Sequence, residues 1–124
     1  MANYELLNMP DYSDRIRLRN QDEQIQIFDS IRGKWLVLTP EEWVRQNTII
    51  YISETLEAPL SRIANEVSIN YNGLTKRCDS IIYDDYGRPL IIVEYKRTDV
   101  AITQRVFDQI AIYNLQLHVP YLIV

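Results

Sequence analysis

Arg77-Cys-Asp-Ser-Ile-Ile-Tyr-Asp-Asp-Tyr-Gly-Arg-Pro-Leu-Ile-Ile-Val-Glu-Tyr-Lys-Arg97 holds two arms rich in Ile, Val and Tyr around a turn cluster, Asp84 to Pro89. Such a pattern predicts a β-hairpin. Side chains alternate faces along a strand. In the second arm Leu90, Ile92, Glu94 and Lys96 therefore share one face, and Ile91, Val93 and Tyr95 the other. In the first arm Asp79, Ile81 and Tyr83 share a face. A hairpin symmetric about Tyr86 and Gly87 sets Asp79 opposite Glu94. A bulge in so long a turn would shift that register.

Two carboxylates directly across a strand pair repel each other. The run Leu90 to Val93 is apolar enough to be buried on both faces, so Glu94 emerges from a core strand. A buried carboxylate without a partner is costly. Two cations relieve that cost. One is the Lys96 ammonium, two residues on and on the same face. The other is a divalent metal between Asp79 and Glu94, and a small set of carboxylate oxygens suits Mg²⁺. The plainer alternative is an edge ion pair between Glu94 and Lys96, with Asp79 solvated.

Upstream, Ile63 to Ile69 reads as a strand, and Tyr71-Asn72-Gly73 turns it back into the first arm, which makes a three-strand antiparallel meander. Glu66 lies on this strand, within approach of Asp79 or facing solvent. Thr39-Pro-Glu-Glu42 starts a helix: Thr39 caps, Pro40 suits the first helical position and Glu42 completes a capping box. That helix is expected to run from Pro40 to about Glu57, before Pro59. Trp43, Val44, Ile50, Tyr51 and Ile52 supply its apolar face, and Arg45 and Gln46 read as surface residues. Gln24 to Ser30 and Trp35 to Leu38, joined by a turn at Gly33, form an N-terminal β-hairpin. Residues 1–22 read as a polar arm and 23–124 as one domain.

Downstream, Thr103 is placed to cap a helix from Gln104 to about His118, with Phe107, Ile110, Ala111 and Leu117 as its buried stripe. Gln109 and Tyr113 sit one turn apart on an adjoining face. They suit a hydrogen bond to a phosphate or to a catalytic group, or an ordinary surface pairing. His118 belongs to the helix terminus. Tyr121 to Val124 reads as a buried strand, parallel to that of Glu94 after a helical crossover. The apolar run ends the chain, as expected of a fragment of a longer protein.

With 124 residues the chain suits one domain with a modest core. Its formal net charge of −4 gives no global basic footprint for nucleic acid. The single cysteine, Cys78, excludes an intramolecular disulfide and a cysteine zinc cluster, and the single histidine excludes a histidine metal cluster. No phosphate loop, nucleophile elbow or dinucleotide fingerprint occurs. The opening residues lack a signal-peptide pattern and no apolar run spans a membrane, so a cytoplasmic location is expected.

The order helix, three-strand meander, helix, strand, with Asp79 on the middle strand and Glu94-Tyr-Lys96 on the next, resembles the core of the PD-(D/E)XK nuclease superfamily. It resembles more closely the N-terminal nuclease domain of type I restriction enzyme R subunits. The matching stretches are Pro40-Glu-Glu-Trp-Val-Arg-Gln46, Glu66, Arg77-Cys-Asp79, Val93-Glu-Tyr-Lys96 and Phe107-Asp-Gln-Ile-Ala-Ile-Tyr-Asn114. Cys78 stands where the superfamily name has proline. The resemblance implies an α/β fold, an α+β mixed sheet with a restriction-endonuclease-like core. It also implies Mg²⁺ (or Mn²⁺) held by Asp79, Glu94 and the carbonyl of Tyr95, with Glu66 beside them. Lys96 is implied to position the attacking water, with Gln109 and Tyr113 as a supporting motif. DNA is the implied substrate, and a helicase domain or other restriction subunits are implied partners, with oligomers in keeping. A non-catalytic nucleic-acid-binding or assembly domain, or a purely structural interaction domain, would carry the same fold.

Overall fold

A computed structural model describes residues 7–124. The elements in chain order are β1 (Leu18–Gln21), β2 (Gln24–Asp29), β3 (Lys34–Val37), α1 (Pro40–Thr55), a 3-10 turn (Leu60–Arg62), β4 (Ile63–Tyr71), β5 (Leu74–Tyr83), β6 (Pro89–Val93), α2 (Gln104–Leu117) and β7 (Tyr121–Ile123). They form an antiparallel sheet, β1-β2-β3, and a mixed sheet, β4-β5-β6-β7, in which β7 runs parallel to β6. This is the expected α+β architecture with a mixed sheet. The N-terminal hairpin gains a third strand, β1, from the stretch read as an arm, and residues 1–6 of that arm lie outside the described residues.

Alternation along β5 and β6 sends successive apolar side chains to opposite faces of the mixed sheet. Ile82 and Val93 pack with Ile49 and Ile52 of α1 and with Ile63 and Tyr95. Ile81 and Ile92 pack with Ile110 and Tyr113 of α2 and with Ile69, Cys78 and Val119. Each face of the sheet is thus covered by one helix.

Both helices are rotated relative to the faces read from sequence. In α1 the buried positions are Glu42, Arg45, Gln46, Asn47, Ile49 and Ile52, so polar residues continue the stripe begun by the two isoleucines. Arg45 and Gln46 are buried, not surface residues. The capping box is half made: Thr39 Oγ1 accepts from the Glu42 amide at 3.0 Å, while the Glu42 carboxylate turns to Arg45 and Gln46. In α2 the stripe runs through half-buried Val106, then Ile110, Tyr113 and half-buried Leu117. Phe107 and Ala111 are exposed because they lie a residue further round the helix, and Tyr113 is at the centre of the stripe, not beside it. Thr103 makes no side-chain cap bond. His118 ends the helix at φ 52°, donating its amide to the Asn114 carbonyl. β7 pairs only with β6 and leaves Tyr121 and Leu122 exposed, so it is an edge strand and not the buried one expected.

The two sheets are tied at Asp29, a fully buried carboxylate at the end of β2. It accepts from the Ile31 and Arg32 amides and from the Arg32 guanidinium, and Asn65 Nδ2 of β4 lies 3.5 Å from it. Burial alone would raise the Asp29 carboxyl. The Arg32 guanidinium and the two amides outweigh burial and hold the carboxyl below the usual range. Removing one member of such a pair strands the other charge. Asp29→Ala is expected to lower unfolding free energy by about 3 kcal/mol, measured by urea denaturation at neutral pH.

Candidate active site

The site is built where two ladders stop. Along β5 and β6 the pairs are Ile82↔Ile91, Ile81↔Ile92 and Ser80↔Val93, with a bulge beyond Ile82 towards the turn. Continuing the register by one residue sets Asp79 beside Glu94, as a symmetric hairpin requires. The bulge lies on the turn side and leaves this end unshifted. On the other edge of β5, pairing with β4 is made at Asn65↔Ser80 and Val67↔Cys78 but skips Glu66 and Asp79.

Glu66 adopts φ 54°, a left-handed conformation unusual outside glycine. It reverses the face presented by β4: Ile63 packs on the α1 side, whereas Val67 and Ile69 pack on the α2 side. β5 changes face at the same level, so that Cys78 and Ile81 share one cluster. Strict alternation cannot anticipate this, because it assumes uniform extended backbone. The interruption places Asp79 where its Oδ2 accepts from the Tyr95 amide at 2.9 Å, which pins the two strand ends together.

Glu94 is buried, and its Oε1 lies 3.4 Å from Lys96 Nζ. Its Oε2 is buried without a hydrogen-bond partner. Burial, and then the charge of Asp79, push Glu94 up to about 7, and Lys96 offsets only part of that. Of the two relieving cations expected from sequence, the ammonium is present and insufficient. An orphaned carboxylate oxygen beside a second carboxylate is the donor chemistry that a hard divalent cation fits. Among the described residues no three His, Cys, Asp or Glu side chains gather as a metal cluster. That leaves the two carboxylates, Asp79 and Glu94, as the acidic group at this strand end. The Tyr95 side chain is not part of it: its buried hydroxyl donates to Ser80 Oγ at 2.8 Å.

Glu66 is engaged elsewhere. Its carboxylate lies 3.1 Å from Arg32, 3.8 Å from Arg45 and 3.7 Å from Arg77. Arg45 also reaches Asp79 at 3.8 Å and lies over the Tyr95 ring at 5.4 Å. Buried Arg45 and Glu42 and half-buried Arg32 thus form a wall of alternating charge behind Asp79. This wall escaped the sequence reading. The signal was there: Glu42, Arg45 and Gln46 fall at i, i+3 and i+4 ahead of Ile49 and Ile52, in phase with a buried stripe.

On the α2 side Tyr113 is buried and Gln109, one turn earlier, is exposed. Burial and the charge of Glu94 raise the Tyr113 hydroxyl, and a hydrogen bond with Gln109 counters them. Tyr113 also packs in the cluster of Cys78. Burial, then the charges of Glu94 and Asp79, raise the Cys78 thiol to about 12, so it is a small apolar filler and not a nucleophile. Asp79, Glu94, Lys96 and Tyr113 therefore converge on the C-terminal end of β6, with Gln109 at the margin and Glu66 held by arginines.

A mixed sheet covered by a helix on each face, with two carboxylates and a lysine at the ends of adjacent strands, defines an α/β nuclease-like domain. The family model of the type I restriction enzyme R protein N terminus (HSDR_N) matches residues 40–124, from the start of α1 to the end of the chain. The chain belongs to that family, and its affiliation with the PD-(D/E)XK nucleases is consistent with the match. Neither the curated proteins nor the solved structures gave a match. Among the described residues no helix is long and apolar enough to cross a membrane.

The raised Glu94 carboxyl sets a pH dependence. It keeps its proton in the folded state up to about pH 7, whereas in the unfolded chain it titrates near 4.5. Its contribution to stability is therefore full below 4.5 and is lost as pH rises through 7. Glu94→Gln mimics the protonated form. The variant is expected to match the parent near pH 4.5 and to exceed it at pH 8 by on the order of 3 kcal/mol, in urea titrations without divalent metal.

Proposed function

We propose that this domain hydrolyses DNA phosphodiester bonds with a divalent metal, as the nuclease part of a restriction system. The observation that carries the reading is the buried, unpartnered oxygen of Glu94 beside Asp79 and Lys96. Asp79, Glu94 and the main-chain carbonyl of Tyr95 would hold Mg²⁺ or Mn²⁺, with Glu66 a further carboxylate reached through Arg45. When bound, such an ion supplies polarisation of the scissile phosphate and a lowered pKa for water.

The chain's own groups do the rest. Lys96 orients the attacking water and offsets negative charge that builds on the phosphate. The Tyr95 amide fixes Asp79 Oδ2, and Asp79 Oδ1 lies 3.8 Å from the Arg45 guanidinium. Arg45 bridges Asp79 and Glu66 and offsets the repulsion between them. Gln109 steadies Lys96 or a phosphate oxygen, and buried Tyr113 anchors Gln109 one turn along α2. Membership of the restriction R-subunit family supports DNA as the substrate, with a motor domain or sister subunits as companions.

A second reading draws on Arg45. Its guanidinium already lies 3.8 Å from Asp79 and partly neutralises the carboxylates without any metal. On that reading the domain keeps the fold for DNA or subunit binding and has no hydrolytic role. Supercoiled plasmid nicking with Mg²⁺ or Mn²⁺ separates the two. Asp79→Ala is expected to abolish nicking, and Lys96→Ala to reduce its rate by roughly 10²- to 10³-fold, with both variants folded. Unimpaired nicking by Lys96→Ala overturns the assignment of that residue. No nicking by the parent chain, together with no effect of either metal on its melting temperature, favours the second reading.

A further inference from the structure

Arg17 and Arg19 stand out among the cations of this acidic chain. Several other surface arginines meet carboxylates: Arg62 meets Asp85, Arg88 meets Asp84, Arg97 meets Asp99 and Arg15 meets Glu54. Exposed Arg105 and Lys34 make no ion pair among the described residues, but neither shares an aromatic pair with a second cation. Among the described residues neither Arg17 nor Arg19 makes an ion pair. Both are exposed, and the register Arg19↔Gln26 and Phe28↔Trp35 puts them on one face of the N-terminal sheet with Gln26, Phe28 and Trp35. The Arg17 guanidinium lies 4.5 Å from the Phe28 ring centre and 5.4 Å from that of Trp35. The Arg19 guanidinium lies 4.4 Å from the Trp35 ring centre.

The rings meet edge to face at 5.3 Å, and Arg19 Nε donates to Gln26 Oε1 at 2.7 Å. Two like charges are thus gathered on one aromatic pair and held in orientation, with no acid to balance them. Asp22 and Glu23, the acidic residues of the β1–β2 turn, pair with neither arginine.

We propose that this face of the three-stranded sheet binds the phosphate backbone of DNA, apart from the cleavage site and without regard to sequence. Pre-oriented guanidinium forks match phosphate oxygens in pairs and lose little freedom on binding. Because the guanidiniums cover the rings, the surface meets phosphates and not stacked bases. It lies in β1 to β3, ahead of the residues matched by the family model. It would hold the duplex by a second point, which an acidic domain with an anionic cleft needs. The proposal rests on DNA being the substrate.

The test uses a fluorescent duplex and the full chain, in an Asp79→Ala background with Mg²⁺ so that the duplex stays intact. Adding Arg17→Gln and Arg19→Gln is expected to weaken binding equally on unrelated sequences. It should also make the dependence of log affinity on log salt shallower by about 2, one for each phosphate no longer neutralised. With Asp79 restored, the same pair is expected to raise KM for plasmid nicking while kcat holds. Arg17→Lys with Arg19→Lys should keep the salt dependence, because charge is retained. An unchanged salt dependence in the Gln variant overturns the surface and leaves the nuclease reading standing. No duplex binding in the Asp79→Ala background, with no plasmid nicking by the parent chain, removes both. Arginine-dependent binding of a polyglutamate peptide in place of duplex overturns the proposal in favour of an acidic protein partner.

Discussion

Backbone pairing at Ser80 and Val93 obliges the next two side chains, Asp79 and Glu94, to leave their strands side by side. Hydrogen bonding of the strands and burial of Ile81, Ile92 and Val93 set this geometry, and the carboxylates have no say in it. The sheet therefore forces together two charges that would separate if they were free. Lys96 answers part of the repulsion, the Tyr95 amide holds one Asp79 oxygen, and a single Glu94 oxygen is left unanswered. The crowding of two carboxylates follows from strand register before any chemistry is invoked.

Behind that pair the polar groups form a continuous second layer. The Tyr95 hydroxyl donates to Ser80, the Ser80 hydroxyl donates to Asn65, and Asn65 leans on Asp29. Asp29 holds Arg32, which meets Glu42 and Glu66, and Arg45 closes the circuit to Asp79. Buried polar groups are tolerated when each finds a partner. Here most partners come from β2, α1, β4, β5 and the strand end after β6, with Arg32 Nη2 and Arg45 Nε left without a hydrogen bond, so the N-terminal sheet is wired to the site through hydrogen bonds as well as packing.

The sequence made the hairpin register legible because apolar alternation and a compact turn cluster both point to it. Strand direction, the two helix spans to within a few residues and the Asp79, Glu94 and Lys96 grouping followed from the same cues. The helix faces were misjudged for a common reason. Glu42, Arg45 and Gln46 look like surface residues by type, yet they pair among themselves and so can be buried. Phe107 looks like core by type, yet the phase of Ile110 and Tyr113 leaves it outside. The reversal at Glu66 was invisible, since a glutamate at positive φ has no local signature, and the arginines that meet its carboxylate come from distant parts of the chain. β1 was missed because Leu18-Arg-Asn-Gln21 has a single apolar residue and so lacks the alternation that marks a strand.

The bulge between Ile82 and Tyr83 separates two regimes along the same hairpin. On the far side of it, Asp84 closes the turn by accepting from the amides of Tyr86 and Arg88, and the segment stands clear of most of the core. Chain length there is free to drift, because an added residue is taken up in the loop tip. Between Ser80 and Ile82 a single insertion would carry Asp79 one step past Glu94 and invert the faces of every residue that follows. The hairpin thus tolerates a change of length at its tip and demands a strict count along its stem.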